Sequence, residues 1–456
     1  MSRFTGVKSR AMIDELQKYC IVAPWPFVLD IDKCSGMWLV TVDGDRIFDW
    51  AGHYGAKLIG YNHKRLRDPE YLKNLVIAAN NKVPNPDFLT PYCLDYYRLL
   101  YRLAPACMKN EKLELYTINS GAEAVENMMK YMINLYDQKI ITQGKHPETR
   151  RFLYFDHAFH GRTVFALNIT QLEHDPVITK NFRGFIPGNI QAPFPFIDTS
   201  RSAEFNAGHT EHSLEIVEEC LKQYKDEIVG IIVEPIQGAG GHRVAQKEFF
   251  QGLSRLAHDY EVYLGFDEVQ TAGGQTGKIF ACDYFDLPYP PQAVATAKKF
   301  GAGVIFMLYP MKDHGVLDST WGGSLADMVR FCREWQIVED EKLIEKVPEK
   351  AAALIAGLEN IAVHHKDTIF NVRGMGLYQG FSLRRASEKT LLLDIALEQE
   401  GLLMLSAGTQ TVRLRPPLDV TMDEINSMLE MLERSIQTME HSNNIKQNSA
   451  EAQERK

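Results

Sequence analysis

The feature that most constrains this chain is a series of short, almost wholly apolar runs separated by helical stretches. "LELYTIN" (Leu113–Asn119), "RFLYFD" (Arg151–Asp156), "IVGIIVEPI" (Ile228–Ile236), "VYLGFDEV" (Val262–Val269), "AVATA" (Ala293–Ala297) and "GVIFMLY" (Gly303–Tyr309) are strand candidates. Several are apolar throughout, and a strand apolar on both sides must be covered on both sides, as in parallel sheets clothed by helices. Between the first two runs, Val125, Met128, Met129, Met132 and Ile133 recur at helical spacing and form one apolar stripe. Strands alternating with helices predict an α/β fold built on a mostly parallel sheet. In such sheets ligands gather at the carboxyl ends of the strands. The unusual residues of this sequence stand at those ends.

From about Leu325 the texture changes to long charged helices, then short strands ("FNVRGMGLYQGFSL", "TVRLRP") and a final amphipathic helix, "TMDEINSMLEMLERSIQTM". The expected partition is a large domain over 66–325 and a smaller α+β domain over 326–439, joined by an N-terminal segment, 1–65. Residues 440–456 are polar and are expected to form a disordered tail. With 45% hydrophobic and 24% charged residues the chain can bury a sizeable core, and a net charge of −9 argues against nucleic-acid or membrane-surface binding. Seven scattered cysteines without a CxxC pair point to reduced thiols, with neither a disulfide framework nor a metal site. No run of 18 apolar residues occurs and the N-terminus lacks a leader pattern, so a cytoplasmic location is expected.

Four stretches carry chemistry. In "FDEVQTAGGQTGK" (Phe266–Lys278), Asp267 closes an apolar strand, where a carboxylate is costly unless it meets a cation or a donor. Thirty-one residues on (298 − 267), "TAKKFGAG" places Lys298 and Lys299 beside a Gly-rich turn at another strand end. Burial favours the neutral amine of a lysine, making it a candidate Schiff-base nucleophile. A carboxylate and a lysine on neighbouring strand ends are what a pyridoxal phosphate site requires, although the doublet leaves open which lysine serves. "NSGAEAVEN" (Asn119–Asn127) passes from strand to helix through Ser120, Gly121 and Ala122. A helix start there could be capped by Ser120 and could also hold a phosphate. In "HAFHGRT" (His157–Thr163), Phe159 could stack on a ring and Arg162 could grip a carboxylate. "DSTWGG" (Asp318–Gly323) looks by itself like a turn.

Taken together, "AFHGRT", "VEPIQGAGG", "FDEVQTAGGQTGK", "AKK" and "VRLRPPL" resemble, in order and spacing, the class III pyridoxal-phosphate-dependent aminotransferases. The likeness runs from about Val28 to Glu433. It implies the aspartate-aminotransferase-like fold (fold type I): a large domain with a mostly parallel central sheet and a smaller α+β domain. It also implies pyridoxal 5'-phosphate as cofactor, an amino-acid donor, 2-oxoglutarate and glutamate as the acceptor pair, and a homodimer with shared active sites. Lys298 would be the Schiff-base lysine, because its spacing from Asp267 matches the family. Asp267 would pair with the pyridinium nitrogen, Val269 and Phe159 would cover the two ring faces, and Gln270 would lie near the phenolic oxygen. Ser120, Gly121 and Ala122 would hold the phosphate, with Ser319 and Thr320 reaching that of the neighbouring subunit. Arg162 would bind the donor's distant carboxylate and Arg413 the α-carboxylate of 2-oxoglutarate. "STWGG" with "LADMVR", "NNKVPNPDF" and "SAGTQTVRLRPPL" resemble the lysine 6-aminotransferases more than the 4-aminobutyrate ones.

One position departs from the family. The relatives usually carry Glu where this chain has Ala239, and that Glu is thought to mask the arginine matching Arg413 while the ω-amine reacts. Without it, donors that offer Arg413 a carboxylate gain. L-Lysine is the expected donor, with 4-aminobutyrate, β-alanine and ornithine as alternatives. An inactive binding subunit of the same fold would be expected to lack Lys298 or Asp267, and both are present. A nicotinamide-dependent enzyme would need GxGxxG after a strand, and none of these strands has it.

Overall fold

All six apolar runs are strands in the computed structural model, which describes residues 2–145, 149–178, 188–313 and 315–454. In chain order the large sheet contains β1 (Glu114–Ile118), β2 (Arg151–Phe155), β3 (Ile190–Ala192), β4 (Ile228–Val233), β5 (Tyr263–Asp267), β6 (Ala293–Thr296) and β7 (Gly303–Met307). Their spatial order is β1-β7-β6-β5-β4-β2-β3. Every neighbouring pair from β6 to β3 is parallel, and β7 runs antiparallel to both β6 and β1. Strand β3 is not legible along the chain, because its three residues at the sheet edge are too few to show a period.

The apolar stripe between β1 and β2 lies on helix α1 (Gly121–Thr142). Val125, Met128, Met129 and Met132 are buried there in one cluster with Val229, Ile232, Ala293, Ala295 and Ile305 of the sheet. Each such side chain contributes about 1.5–3 kcal/mol by leaving water. The sheet makes room for these long thioethers at Gly265, where a Cβ would stand 2.5 Å from Met132 Cε and 2.9 Å from Met128 Sδ. A methyl group at that point would oblige the two thioether ends to repack.

The residues group into two units, Arg67–Glu345 with Ala407–Thr409, and Met1–Leu66 with Lys346–Ser406 and Gln410–Lys456. The helix Leu325–Asp340, expected with the smaller domain, falls in the larger unit. It packs on the helices Pro69–Asn80 and Pro91–Leu103 and buries Met328, Phe331 and Trp335. The other unit holds a three-stranded sheet (Trp38–Val40, Arg46–Asp49, Leu402–Leu403) and a four-stranded one formed by Ile369–Met375, Tyr378–Leu383, Thr411–Leu414 and Leu405–Ala407. Its last helix runs from Met422 to Glu454, so the stretch expected as a disordered tail is helical as far as Glu454. The regular apolar pattern stops at Met439, and the residues that follow are of mixed helix propensity.

Candidate functional site

The parallel pairing sets the carboxyl ends of β1, β2, β4, β5 and β6 along one edge, and the chemical residues cluster there. Where β1 gives way to α1, Ser120 Oγ accepts the Glu123 N–H at 3.2 Å. The Glu123 carboxylate reaches back to the Asn119 N–H at 3.0 Å. The cap thus occupies the third donor of the helix, and the N–H groups of Gly121 and Ala122 have no acceptor within the helix at the positive end of its dipole. The cap is therefore compatible with an anion at this helix start.

The helix start rests directly on the ends of β5 and β6. A Cβ on Gly121 would lie 2.7 Å from Val269 Cγ1 and 3.4 Å from the Ala297 Cβ. Valine cannot swing away as a long side chain could, so Gly121→Ala is expected to displace the helix start at a cost of about 1–3 kcal/mol. The prediction is a tenfold or greater loss of phosphate-dependent cofactor affinity in titrations of the apoprotein, and an unchanged affinity would refute the close packing.

Asp267 closes β5 and is 6% exposed. Its Oδ1 accepts the Val269 N–H at 3.0 Å, and its Oδ2 lies 2.8 Å from Nδ1 of His160. His160 is itself buried, and its backbone N–H donates to Thr170 Oγ1 at 3.0 Å. Burial works against a charged ring, but the hydrogen bond and negative charge of Asp267, helped by Glu234, outweigh it and raise the His160 pKa. Along the chain, His160 is inconspicuous. Its only local signal was its place two residues before Arg162 in "AFHGRT", and the contact with Asp267 spans 107 positions.

The two lysines of the doublet stand in different surroundings. Lys298 takes a left-handed backbone conformation (φ 43°) at the start of a single tight helical turn, Lys298–Phe300, and is half-buried. Lys299 is 4% exposed, and its Nζ donates to the carbonyl of Gln270 at 2.7 Å. The second lysine therefore ties the strand end to the Gly-rich loop.

Val269, Gln270 and Phe159 are half-buried on this edge, while Arg162 is exposed. Gln270 presses on Gly238, where a Cβ would stand 1.8 Å from its Oε1. Ser319 Oγ accepts from the side chain of Asn119 at 3.2 Å, joining "DSTWGG" to the helix start, and Thr320 is exposed beside it. The rest of that stretch is pinned from below. The Asn85 amide donates to the carbonyls of Trp321 at 3.0 Å and Gly323 at 2.7 Å, and Lys82 Nζ sits 3.5 Å from the Trp321 ring centre. Near the departing position Ala239, the Arg243 guanidinium is taken up by Asp156 at 2.8 Å and by the Phe194 carbonyl at 3.1 Å. Arg413 belongs to the smaller unit, buried on the strand Thr411–Leu414 opposite Gly380.

A carboxylate fixed by a buried imidazole, a half-buried lysine, an open helix start and a half-buried Phe suit a flat, phosphorylated, cationic heteroaromatic ring. Among the described residues no helix is long and apolar enough to cross a membrane. A family model described as aminotransferase class-III matches residues 21–436. The chain is 32% identical over 415 residues to an L-lysine-epsilon aminotransferase of Mycobacterium tuberculosis, covering 88% of this chain and 90% of that one. It is 30% identical over 432 residues to the L-lysine-epsilon aminotransferase of Streptomyces clavuligerus, covering 92% and 93%. A solved structure of lysine aminotransferase from M. tuberculosis superposes with a TM-score of 0.89 at 28% identity, covering 94% of this chain and 99% of that one. With the family match spanning most of its length, the chain belongs to the class-III aminotransferases, the pyridoxal-phosphate-dependent transaminases of fold type I.

Proposed function

We propose that this enzyme moves the terminal amino group of L-lysine to 2-oxoglutarate, yielding 2-aminoadipate 6-semialdehyde and glutamate, and that it acts as a cytoplasmic homodimer. The observation that carries the donor is the match to L-lysine-epsilon aminotransferases along about nine-tenths of both chains. Seven free cysteines support a reducing compartment.

Bound pyridoxal phosphate supplies a carbonyl that takes up an amine and a ring that accepts an electron pair from the adjoining carbon. The remaining roles fall to the chain. Lys298 Nζ is the group that takes the proton from the carbon bearing the departing amine. Asp267 holds negative charge under the ring nitrogen, with His160 fixing its orientation. Ser120 and the N–H groups of Gly121 and Ala122 hold the phosphate, joined by Ser319 and Thr320 of a second copy; the exposure of Thr320 supports that donation. Phe159 and Val269 cover the ring faces and Gln270 meets the phenolic oxygen. Arg162 takes the carboxylate far from the reacting amine, and Arg413 takes the α-carboxylate of 2-oxoglutarate.

The test is single-turnover bleaching of the loaded enzyme's visible band with L-lysine, ornithine, 4-aminobutyrate, β-alanine and α-amino acids. L-Lysine should bleach fastest among the ω-amines. Bleaching by α-amino acids alone would overturn the assignment. Ala239 sharpens the test, since the family resemblance implies a Glu at this position that masks Arg413. Ala239→Glu is expected to shift the single-turnover ratio of ω-amine to glutamate upward roughly tenfold, the worth of one charge-assisted hydrogen bond. An unchanged ratio would reject a masking role at this position.

A further inference from the structure

Two short helical turns of the larger unit, Ala106–Met108 and Ala281–Tyr284, meet outside the site described above. Each carries a free cysteine, and the Sγ atoms of Cys107 and Cys282 stand 3.7 Å apart across 175 positions of sequence. Cys282 is buried, whereas Cys107 and the next residue along, Asp283, are half-buried. Ligand atoms from these three side chains all lie within 4.8 Å of one another. The Asp283 carboxylate is already aimed: Oδ2 accepts the Ala106 N–H at 3.0 Å and Oδ1 the Cys107 N–H at 2.9 Å. A carboxylate has about four lone-pair sites, so two N–H donors leave both oxygens able to take a further partner.

We propose that Cys107, Cys282 and Asp283 form a binding site for a thiophilic divalent cation, with zinc the best match. Tetrahedral zinc bonds thiolate sulfur at about 2.3 Å, which sets two such sulfurs about 3.8 Å apart. The observed 3.7 Å is close to that edge. A disulfide would need the same atoms at about 2.05 Å. Two thiols in plain contact also stand near this distance. What singles out a cation is the carboxylate beside them, oriented by two backbone N–H groups as the ligands of metal sites are. Sulfur and oxygen together suit zinc better than copper(I), which favours sulfur alone. The partly exposed side, at Cys107 and Asp283, leaves the fourth position to water.

The donors are held in place before any cation arrives. Glu268, the residue after Asp267, accepts the N–H groups of Ala281 at 2.9 Å and Cys282 at 2.7 Å. Lys278 Nζ donates to the Asp283 carbonyl at 2.6 Å. Burial first, then the hydrogen bond and charge of Cys107, hold the Cys282 thiol well above its ordinary range, so without a cation it keeps its proton. Binding forms a metal–thiolate bond at each sulfur and releases each thiol proton to solvent. Three anionic donors then face two positive charges. No spacing rule along the chain finds this site, because its two sulfurs come from distant turns.

The test uses the full-length holoenzyme, purified without oxygen and stripped of metal by a chelator. Zn2+ is titrated by calorimetry into wild type, Cys107→Ser, Cys282→Ser and, as a control elsewhere on the surface, Cys220→Ser. Zinc-edge X-ray absorption then reads the donors. Wild type should take up one zinc per chain, with two sulfurs at about 2.3 Å and lighter donors at about 2.0–2.2 Å. Cys107→Ser should lose one sulfur and weaken binding about tenfold or more, while Cys220→Ser should match wild type. The wild-type melting temperature should rise with Zn2+, and that rise should vanish in Cys107→Ser. A zinc shell without sulfur overturns the site, as does equal binding by wild type and Cys107→Ser. If the buried Cys282→Ser does not fold, Cys107→Ser, on the half-exposed side, decides alone. A Cys107–Cys282 disulfide found by peptide mass in the anaerobic protein overturns the cation in favour of a covalent pair. The zinc measurements stand whether or not the enzyme proves to act on L-lysine.

Discussion

Lys298→Ala is expected to abolish the lysine-linked visible band of the loaded enzyme and to lower transamination on the order of ten-thousand-fold, the upper range for removing a positioned acid–base group. Lys299→Ala should behave quite differently, although the two residues are neighbours. The Lys299 amine is spent on the Gln270 carbonyl at 2.7 Å within the protein. Its loss leaves a buried acceptor without that partner and should cost about 1–3 kcal/mol of stability with the band retained. The pair of variants, compared by visible absorbance and thermal melting, separates the two lysines cleanly. A band that survives in Lys298→Ala and vanishes in Lys299→Ala would reverse their roles.

Asp267→Ala is expected to have the second largest effect, a loss of about a hundred- to a thousandfold in rate, as for other preorganised electrostatic groups. The structure adds a consequence that rate measurements alone would miss. His160 owes its raised pKa to Asp267, acting against burial. With the carboxylate gone, burial dominates and the imidazole should titrate below its ordinary value of 6.5. That shift is measurable by NMR in the apoprotein. Asp267→Asn separates charge from hydrogen bonding: the amide can still meet His160 but no longer holds an anion beneath the ring nitrogen. If Asp267→Asn retained the wild-type rate, the negative charge would not be what the site uses.

Much of this site was legible because its parts are local. Strand β5 ends on Asp267 and β6 ends just before Lys298, so apolar runs followed by a charged residue marked both positions. The cap at Ser120 and Glu123 is a four-residue pattern and needed no tertiary knowledge. His160 and Glu234 were not legible as parts of the site. Each looks ordinary beside its sequence neighbours, and each gains its meaning from a partner 107 or 75 positions away. The helix Leu325–Asp340 was misplaced for a similar reason. Its amphipathic pattern shows that one face is buried but not which helices bury it.

The sequence by itself determined the alternation of strands and helices, the ends at which chemistry collects, and the cap that opens α1, because periodicity and capping are set by residues within a few positions of one another. Only the tertiary structure decided that Lys299 is tied to Gln270, that His160 braces Asp267, and that Glu234 takes the Phe159 N–H. Those facts depend on which strand lies beside which and on how deeply each side chain is removed from water. Strand order and burial are properties of the assembled sheet, and no window along the chain contains them.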